Sequence, residues 1–176
     1  DLDNDIDHLV NAELKVDDFA QFERSISLGG KNILYLGDNA GEIVFDTLLV
    51  SQINKANNVT YVVKSGPIIN DSTMEDAEYV GMTSLCRVIE TGSNGIGVKW
   101  DQVSDEFLAY YNSADIILSK GQGNFETMSD KNKETYFMLR AKCDIVANMI
   151  GVSFGDIVFK RGPIQEKKKV NQDAQS

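Results

Sequence analysis

Short apolar runs alternate along this chain with stretches in which apolar residues return every three or four positions. The first pattern is that of strands buried on both faces, the second that of helices packed by one side. Residues 32–36 form the first strand by this reading. After Gly37-Asp38-Asn39, the residues Ile43, Val44, Leu48, Leu49 and Ile53 recur at helical spacing to about Ala56, and Asn57-Asn58 ends the period. Residues 59–64 predict a second strand, and a loop through Ser65-Gly66-Pro67 reaches Asn70-Asp71. The run from Asp71 to Asp76 has the acids of a helix N-terminus, with Gly81 as its stop. Residues 86–90 read as strand three, followed by the glycine-rich segment 91–97, and Ser104 caps a helix through Tyr111. Residues 114–119 give strand four, which ends on the tip Lys120-Gly121-Gln122-Gly123-Asn124. Residues 136–141 give a last strand, and a helix over 144–149 is closed by Gly151.

Ahead of this core, Leu14, Val16, Phe19, Phe22 and Ile26 approximate one helical face that Gly29-Gly30 stops. Behind it, residues after Gly162 are polar and lysine-rich without apolar period, which predicts a disordered tail; Lys167-Lys168-Lys169 reads as a solvated terminus. The expected organisation is a helical lead-in over 1–30, an α/β core over 31–160 and a polar tail over 161–176. Strands separated by helical segments of these lengths imply right-handed crossovers and a three-layer αβα, mainly parallel, Rossmann-like sheet. In such a sheet the carboxyl ends of the strands share an edge, where ligands bind. Three polar tips fall on that edge: Asp38-Asn39, Asn70-Asp71 and Lys120 to Asn124.

Charge narrows what such an edge could bind. A formal net charge of -10 and a pI near 4.5 argue against nucleic acid or an anionic membrane as partner. The absence of any long apolar stretch and the acidic start Asp1-Leu2-Asp3-Asn4-Asp5 predict a cytosolic protein. His8 is the sole histidine, and Cys86 and Cys143 stand apart as expected free thiols. A multi-histidine zinc site and a serine or cysteine triad are thereby disfavoured, so a metal here would be held by oxygen. Mg²⁺ or Mn²⁺ suit such ligands, and Co²⁺ or Ni²⁺ could enter by their higher general affinity.

Taken singly, each tip has a structural explanation: Asp38 can make a turn, Asn39 a left-handed loop position, Asp71 an N-cap, and Lys120 can lie in solvent. Their coincidence at successive strand ends favours a ligand site. The linear motifs go further. Residues 36–46 (LGDNAGEIVFD), 66–77 (GPIINDSTMEDA) and 119–126 (SKGQGNFE) together resemble the damage-control metallophosphatase family, formerly domain of unknown function 89 and ARMT-like. The likeness spans roughly residues 3–160 and is greatest to the stand-alone archaeal and bacterial branch. The resemblance implies a metal-dependent phosphatase whose cation sits on Asp38, Asn39 and Asp71. It implies Lys120 as a phosphate contact, with Gly121, Gly123 and Asn124 close to the substrate. Asn70 and Glu42 lie in the same motifs and are further candidates for contact with substrate or support of the ligands. Asn4 and Asp7 are similar to a family segment ahead of the core, though a solvated face explains Asp7 as well.

The substrate class implied is a small phosphorylated metabolite that is damaged or harmful in excess, such as a sugar phosphate or a phosphopantetheine-type compound. Water activated at the cation is favoured over Asp38 as a covalent nucleophile, because one carboxylate does not readily serve as both tight ligand and free nucleophile. The family's usual helical region ahead of the core would have its remnant in residues 1–30. Two alternatives stand beside this reading. A nucleotide-binding Rossmann-like enzyme is suggested by Gly92, Gly95 and Gly97, although their spacing is not G-x-G-x-x-G. A non-catalytic module binding metal or phosphometabolite would keep the same tips without turnover.

Overall fold

The computed structural model describes residues 13–163. A seven-stranded mixed sheet runs through it in the order β1-β7-β6-β5-β2-β3-β4. The strands are β1 (Val16–Asp17), β2 (Asn32–Leu36), β3 (Asn58–Val63), β4 (Arg87–Glu90), β5 (Ile116–Lys120), β6 (Thr135–Arg140) and β7 (Ile157–Arg161). Neighbours from β4 across to β6 pair in parallel; β7 runs antiparallel to β6, and β1 parallel to β7.

Alternation of side chains along each strand divides the core in two. Ile33, Tyr35, Val59, Tyr61, Ile116 and Leu118 face one side, under α1 (Phe19–Ile26), α2 (Ile43–Ile53), α3 (Met74–Tyr79) and α4 (Met82–Leu85). Leu34, Leu36, Val62, Ile89 and Ile117 face the other, under α5 (Asp105–Ser113), α6 (Gln122–Met128) and α7 (Asp144–Ile150). Both faces are therefore dry, and a strand with two dry faces must be apolar at successive positions. That requirement is why the core strands read as continuous runs.

Helix ends follow local chemistry. The Ser104 hydroxyl accepts from the Phe107 N–H at 3.0 Å, and Gly151 closes α7 with φ +85°. Thr73 and Asp76 form a capping box at α3. The chain passes from β2 outward to β3 and β4, then returns across the opposite face to β5 on the other side of β2. The crevice between the carboxyl ends of β2 and β5 is therefore the topological switch point, the usual ligand position in an open α/β sheet.

Three differences from the sequence-based expectation have physical reasons. The single helix expected over 12–28 is a two-residue edge strand followed by a shorter helix, because Lys15 and Asp18 N–H groups donate to β7 carbonyls. Strand β7 was not anticipated; its short run ends in Lys160-Arg161 at the polar border of the sheet. The segment after Lys120 is not a loop but the start of α6. Gly123 permits close packing of that helix, since a Cβ there would meet Ile96 at 2.9 Å. The segments 1–12 and 164–176, including Asn4, Asp7 and the lysine run, lie outside the described residues. Among the described residues, no helix is long and apolar enough to cross a membrane.

Phe22 docks α1 onto the sheet. It is 1% exposed and meets Tyr136 and Phe159 at ring-centroid distances of 5.2 and 5.7 Å. Phe22→Ala should cost about 3–5 kcal/mol through the cavity it leaves, measured as a lowered urea midpoint at unchanged m-value.

Candidate active site

Two backbone segments far apart in sequence, 38–40 and 70–72, are stapled together at the switch point. The Ser72 N–H donates to the Asp38 carbonyl at 2.7 Å and the Ala40 N–H to the Asn70 carbonyl at 2.8 Å, with Asn39 and Asp71 opposite one another in an antiparallel bridge. These bonds bring Asp38, Asn39 and Asp71 to one place. The turn that delivers Asp71 includes Ile69 at φ +50°, a left-handed conformation that β-branched residues rarely adopt. Its side chain is exposed, so main-chain bonding rather than packing holds the turn.

Lys120, at the end of β5, is 7% exposed and held by two carboxylates. Its Nζ donates to Asp46 Oδ1 at 2.8 Å and pairs with Glu42 Oε2 at 2.6 Å. Asp46 in turn accepts from the Tyr35 and Tyr61 hydroxyls, each at 2.7 Å. Burial, followed by the adjacent Asp46 carboxylate, drives both phenols far above their ordinary pKa, so they remain donors. Gly37 is required here: any Cβ would collide with the Tyr61 hydroxyl. Glu42 is only half-buried and also accepts from Asn39 Nδ2 at 2.8 Å. Burial raises its pKa, but the Lys120 and Asn39 hydrogen bonds outweigh that and hold it below the usual value.

A second ammonium stands at the tip of β3. Lys64 is 4% exposed; its Nζ donates to the Gly97 carbonyl at 2.6 Å and lies 3.6 Å from Asp71 Oδ2. Gly97 abuts the Gly123 carbonyl and the Thr127 side chain, so Lys64 ties the 91–97 loop to the edge that carries Asp71.

Four carboxylates, Asp38, Glu42, Asp46 and Asp71, gather with the buried ammonium groups of Lys64 and Lys120, and the charge of Lys142 also reaches Asp38 and Glu42. Burial first, then the Glu42 and Asp71 carboxylates, push Asp38 from 3.8 up to about 6, against the opposing pull of Lys142 and Lys120. Burial also raises Asp71, against the opposing pull of Lys64. Gly121, at φ +82°, leaves the space beside the Asp38 carboxylate that a Cβ would fill. A divalent cation fits this donor set, since it would supply two positive charges to two carboxylates and an amide oxygen. Among the described residues no three His, Cys, Asp or Glu side chains form a metal cluster, so the amide of Asn39 would be a necessary ligand.

The family model described as Damage-control phosphatase ARMT1-like domain matches residues 1–158. The chain belongs to this family. An uncharacterized protein of Methanocaldococcus jannaschii is 42% identical over 163 residues, covering 89% of this chain and 54% of that protein. The damage-control phosphatase PH1575 of Pyrococcus horikoshii is 40% identical over 164 residues, covering 92% of this chain and 57% of its own length. The crystal structure of a DUF89 family protein from the same organism superposes with TM-score 0.85 at 39% identity, again over 92% of this chain and 57% of that one. This ARMT1-like chain thus spans little more than half the length of the relatives it matches.

Within the ARMT1-like domain, the candidates separate by what their side chains touch. Asp38, Asn39, Asp71, Lys120 and Glu42 meet at the switch point. Glu42 is engaged with Lys120 and Asn39, a bracing position rather than one facing an anion. Asn124 is 5% exposed, and its amide donates to the Gly37 and Lys120 carbonyls at 3.0 and 2.8 Å; it ties β2 to β5. Gly121 was expected close to the substrate; its N–H is bonded to the Met138 carbonyl at 3.0 Å. Gly123 packs against the 91–97 loop, and Asn70 is exposed beside Asp71. Asp46, Tyr35, Tyr61 and Lys64 were not anticipated. A carboxylate on the buried stripe Ile43, Asp46, Val50, Ile53 was the available signal.

Asp46→Ala should destabilise by about 3–5 kcal/mol because Lys120 and two phenols lose a buried partner, whereas Tyr61→Phe should cost about 2 kcal/mol; chemical denaturation reads both. A carboxylate whose folded pKa is raised binds more protons folded than unfolded, so stability falls as pH rises from about 4 through about 6. Metal-free Asp38→Asn should therefore be more stable than the parent chain at pH 7 and lose that advantage near pH 4, in paired thermal melts.

Proposed function

We propose that this chain carries the active site of a metal-dependent phosphatase that hydrolyses phosphate monoesters of small metabolites, sugar phosphates or related damaged or overflow compounds among them. The observation that carries the proposal is the convergence of Asp38, Asn39 and Asp71 at the switch point, beside the ammonium of Lys120 held at the end of β5. Membership of a family described as damage-control phosphatase supports the reaction class.

Asp38, Asn39 and Asp71 would hold the cation, Mn²⁺ or Mg²⁺ in the cell, with Co²⁺ or Ni²⁺ as substitutes. When bound, the ion supplies Lewis-acid polarisation of the phosphoryl group and lowers the pKa of water. The chain's own residues do the rest. Lys120 has three N–H donors and gives two of them to Asp46 and Glu42, which leaves one for a phosphoryl oxygen. Asp46 and its two phenols fix the ammonium, so it need not reorganise as negative charge develops on the transferring group. The more exposed Glu42 is the partner that can yield to an incoming anion without breaking the buried pair.

Phosphate release by metal-stripped protein, with each of the four ions restored separately, tests this against p-nitrophenyl phosphate and a sugar-phosphate panel. Metal-restored turnover is expected, abolished in Asp38→Ala and Asp71→Ala, and lowered about 10²–10³-fold in kcat for Lys120→Ala. Wild-type turnover in purified Asp38→Ala or Asp71→Ala contradicts the site. Metal binding through Asp38 without turnover on any ester would favour the non-catalytic binding module.

A further inference from the structure

Lys64 ties the 91–97 loop to the site, and it also places a buried ammonium beside a candidate metal ligand. An ammonium placed at 4% exposure pays a large desolvation cost. Its two contacts differ in kind. The Gly97 carbonyl, at 2.6 Å, is a full hydrogen bond; the Asp71 carboxylate, at 3.6 Å, is a charge contact with room left around the oxygen. Asp71 is thus left free to bind something else while remaining within the field of a fixed cation.

We propose that Lys64 is the fixed counter-charge of this site, which weakens metal binding in exchange for affinity toward a phosphoryl dianion. The inference rests on the cation and phosphate assignments made above. Its electrostatics are simple. A positive charge beside Asp71 repels a divalent cation held by that carboxylate, and it attracts a dianion brought to the same edge. In a chain of net charge -10, the second effect is the one an anionic substrate needs. Lys64 Nζ is committed to the Gly97 carbonyl and stands beside Asp71, so it acts through the field and through the position of Asp71. Lys120 differs, because its charge is already matched by Asp46 and Glu42.

A residue that merely supports the fold would, on removal, loosen metal and phosphate together. A counter-charge moves them in opposite directions. Lys64→Gln keeps an amide donor for the Gly97 carbonyl and removes the charge; Lys64→Arg keeps the charge. Mn²⁺ affinity is read by electron paramagnetic resonance on the full chain, and inorganic phosphate affinity by calorimetry on the Mn²⁺-saturated protein, with thermal unfolding as the check on folding. Lys64→Gln should bind Mn²⁺ on the order of tenfold tighter and phosphate on the order of tenfold more weakly, and Lys64→Arg should restore both toward wild type. If Lys64→Gln does not fold, Lys64→Arg with weakened binding of both ligands overturns the proposal. Parallel loss of both affinities in Lys64→Gln, or no change in either, also overturns it. A wild-type protein that binds both ligands yet hydrolyses no ester contradicts the phosphatase assignment and leaves this comparison decisive for Lys64.

Discussion

The buried pair between Lys120 and Asp46, with its two phenols, ties together the four elements on which the site is built. Asp46 comes from the first turn of α2, Lys120 from the end of β5, and the two phenols that complete the cluster from β2 and β3. An unpaired charge at this depth would be prohibitive, and a pair alone recovers its desolvation cost only when its remaining hydrogen-bonding capacity is filled. Tyr35 and Tyr61 fill it. The ammonium is consequently fixed at the strand edge before any ligand arrives, and the same contacts fix the angle at which α2 leaves Asp38 and Asn39.

Topology then explains why a cation and an anion would meet at this point. Strands β2 and β5 are neighbours whose following helices pass to opposite faces, so neither helix covers the crevice between their carboxyl ends. Asp38 belongs to one wall and Lys120 to the other. The 70–72 segment is added by hydrogen bonds to Asp38 and Ala40, and the 91–97 loop by Lys64. Asp38 and Asp71 are brought together partly buried; burial first, then the neighbouring carboxylates, raise the pKa of Asp38 to about 6. A divalent cation held there would relieve that cost.

Much of the fold could be read from the sequence because burial on both faces leaves a run of apolar residues that no loop would keep. Strands β2, β3, β5 and β6 are of this kind; the edge strand β4, with only Ile89 buried, and the helix ends at Ser104 and Gly151 were legible from local signals. Strands β1 and β7 were not legible: β1 has two residues and β7 ends in two charges, so neither carries a periodic signal. Helix α6 was masked by Gly121 and Gly123, whose lack of Cβ serves contacts with Asp38 and Ile96 that only the folded chain reveals. At the site, the polar tips announced themselves. The residues that hold them did not: Tyr35 and Tyr61 look like strand core, and Lys64 like a strand end. Asp46 was visible in principle, as a charge at the spacing of Ile43, Val50 and Ile53.

The central claim is that one cation site and one phosphate site adjoin at the tips of β2, β3 and β5. Anomalous scattering at the manganese edge from crystals grown with Mn²⁺ and inorganic phosphate addresses it directly. The account predicts a single strong peak bounded by the oxygens of Asp38, Asn39 and Asp71, with a phosphate oxygen within hydrogen-bond distance of Lys120 Nζ. Manganese bound elsewhere, or phosphate seated away from Lys120, would contradict it.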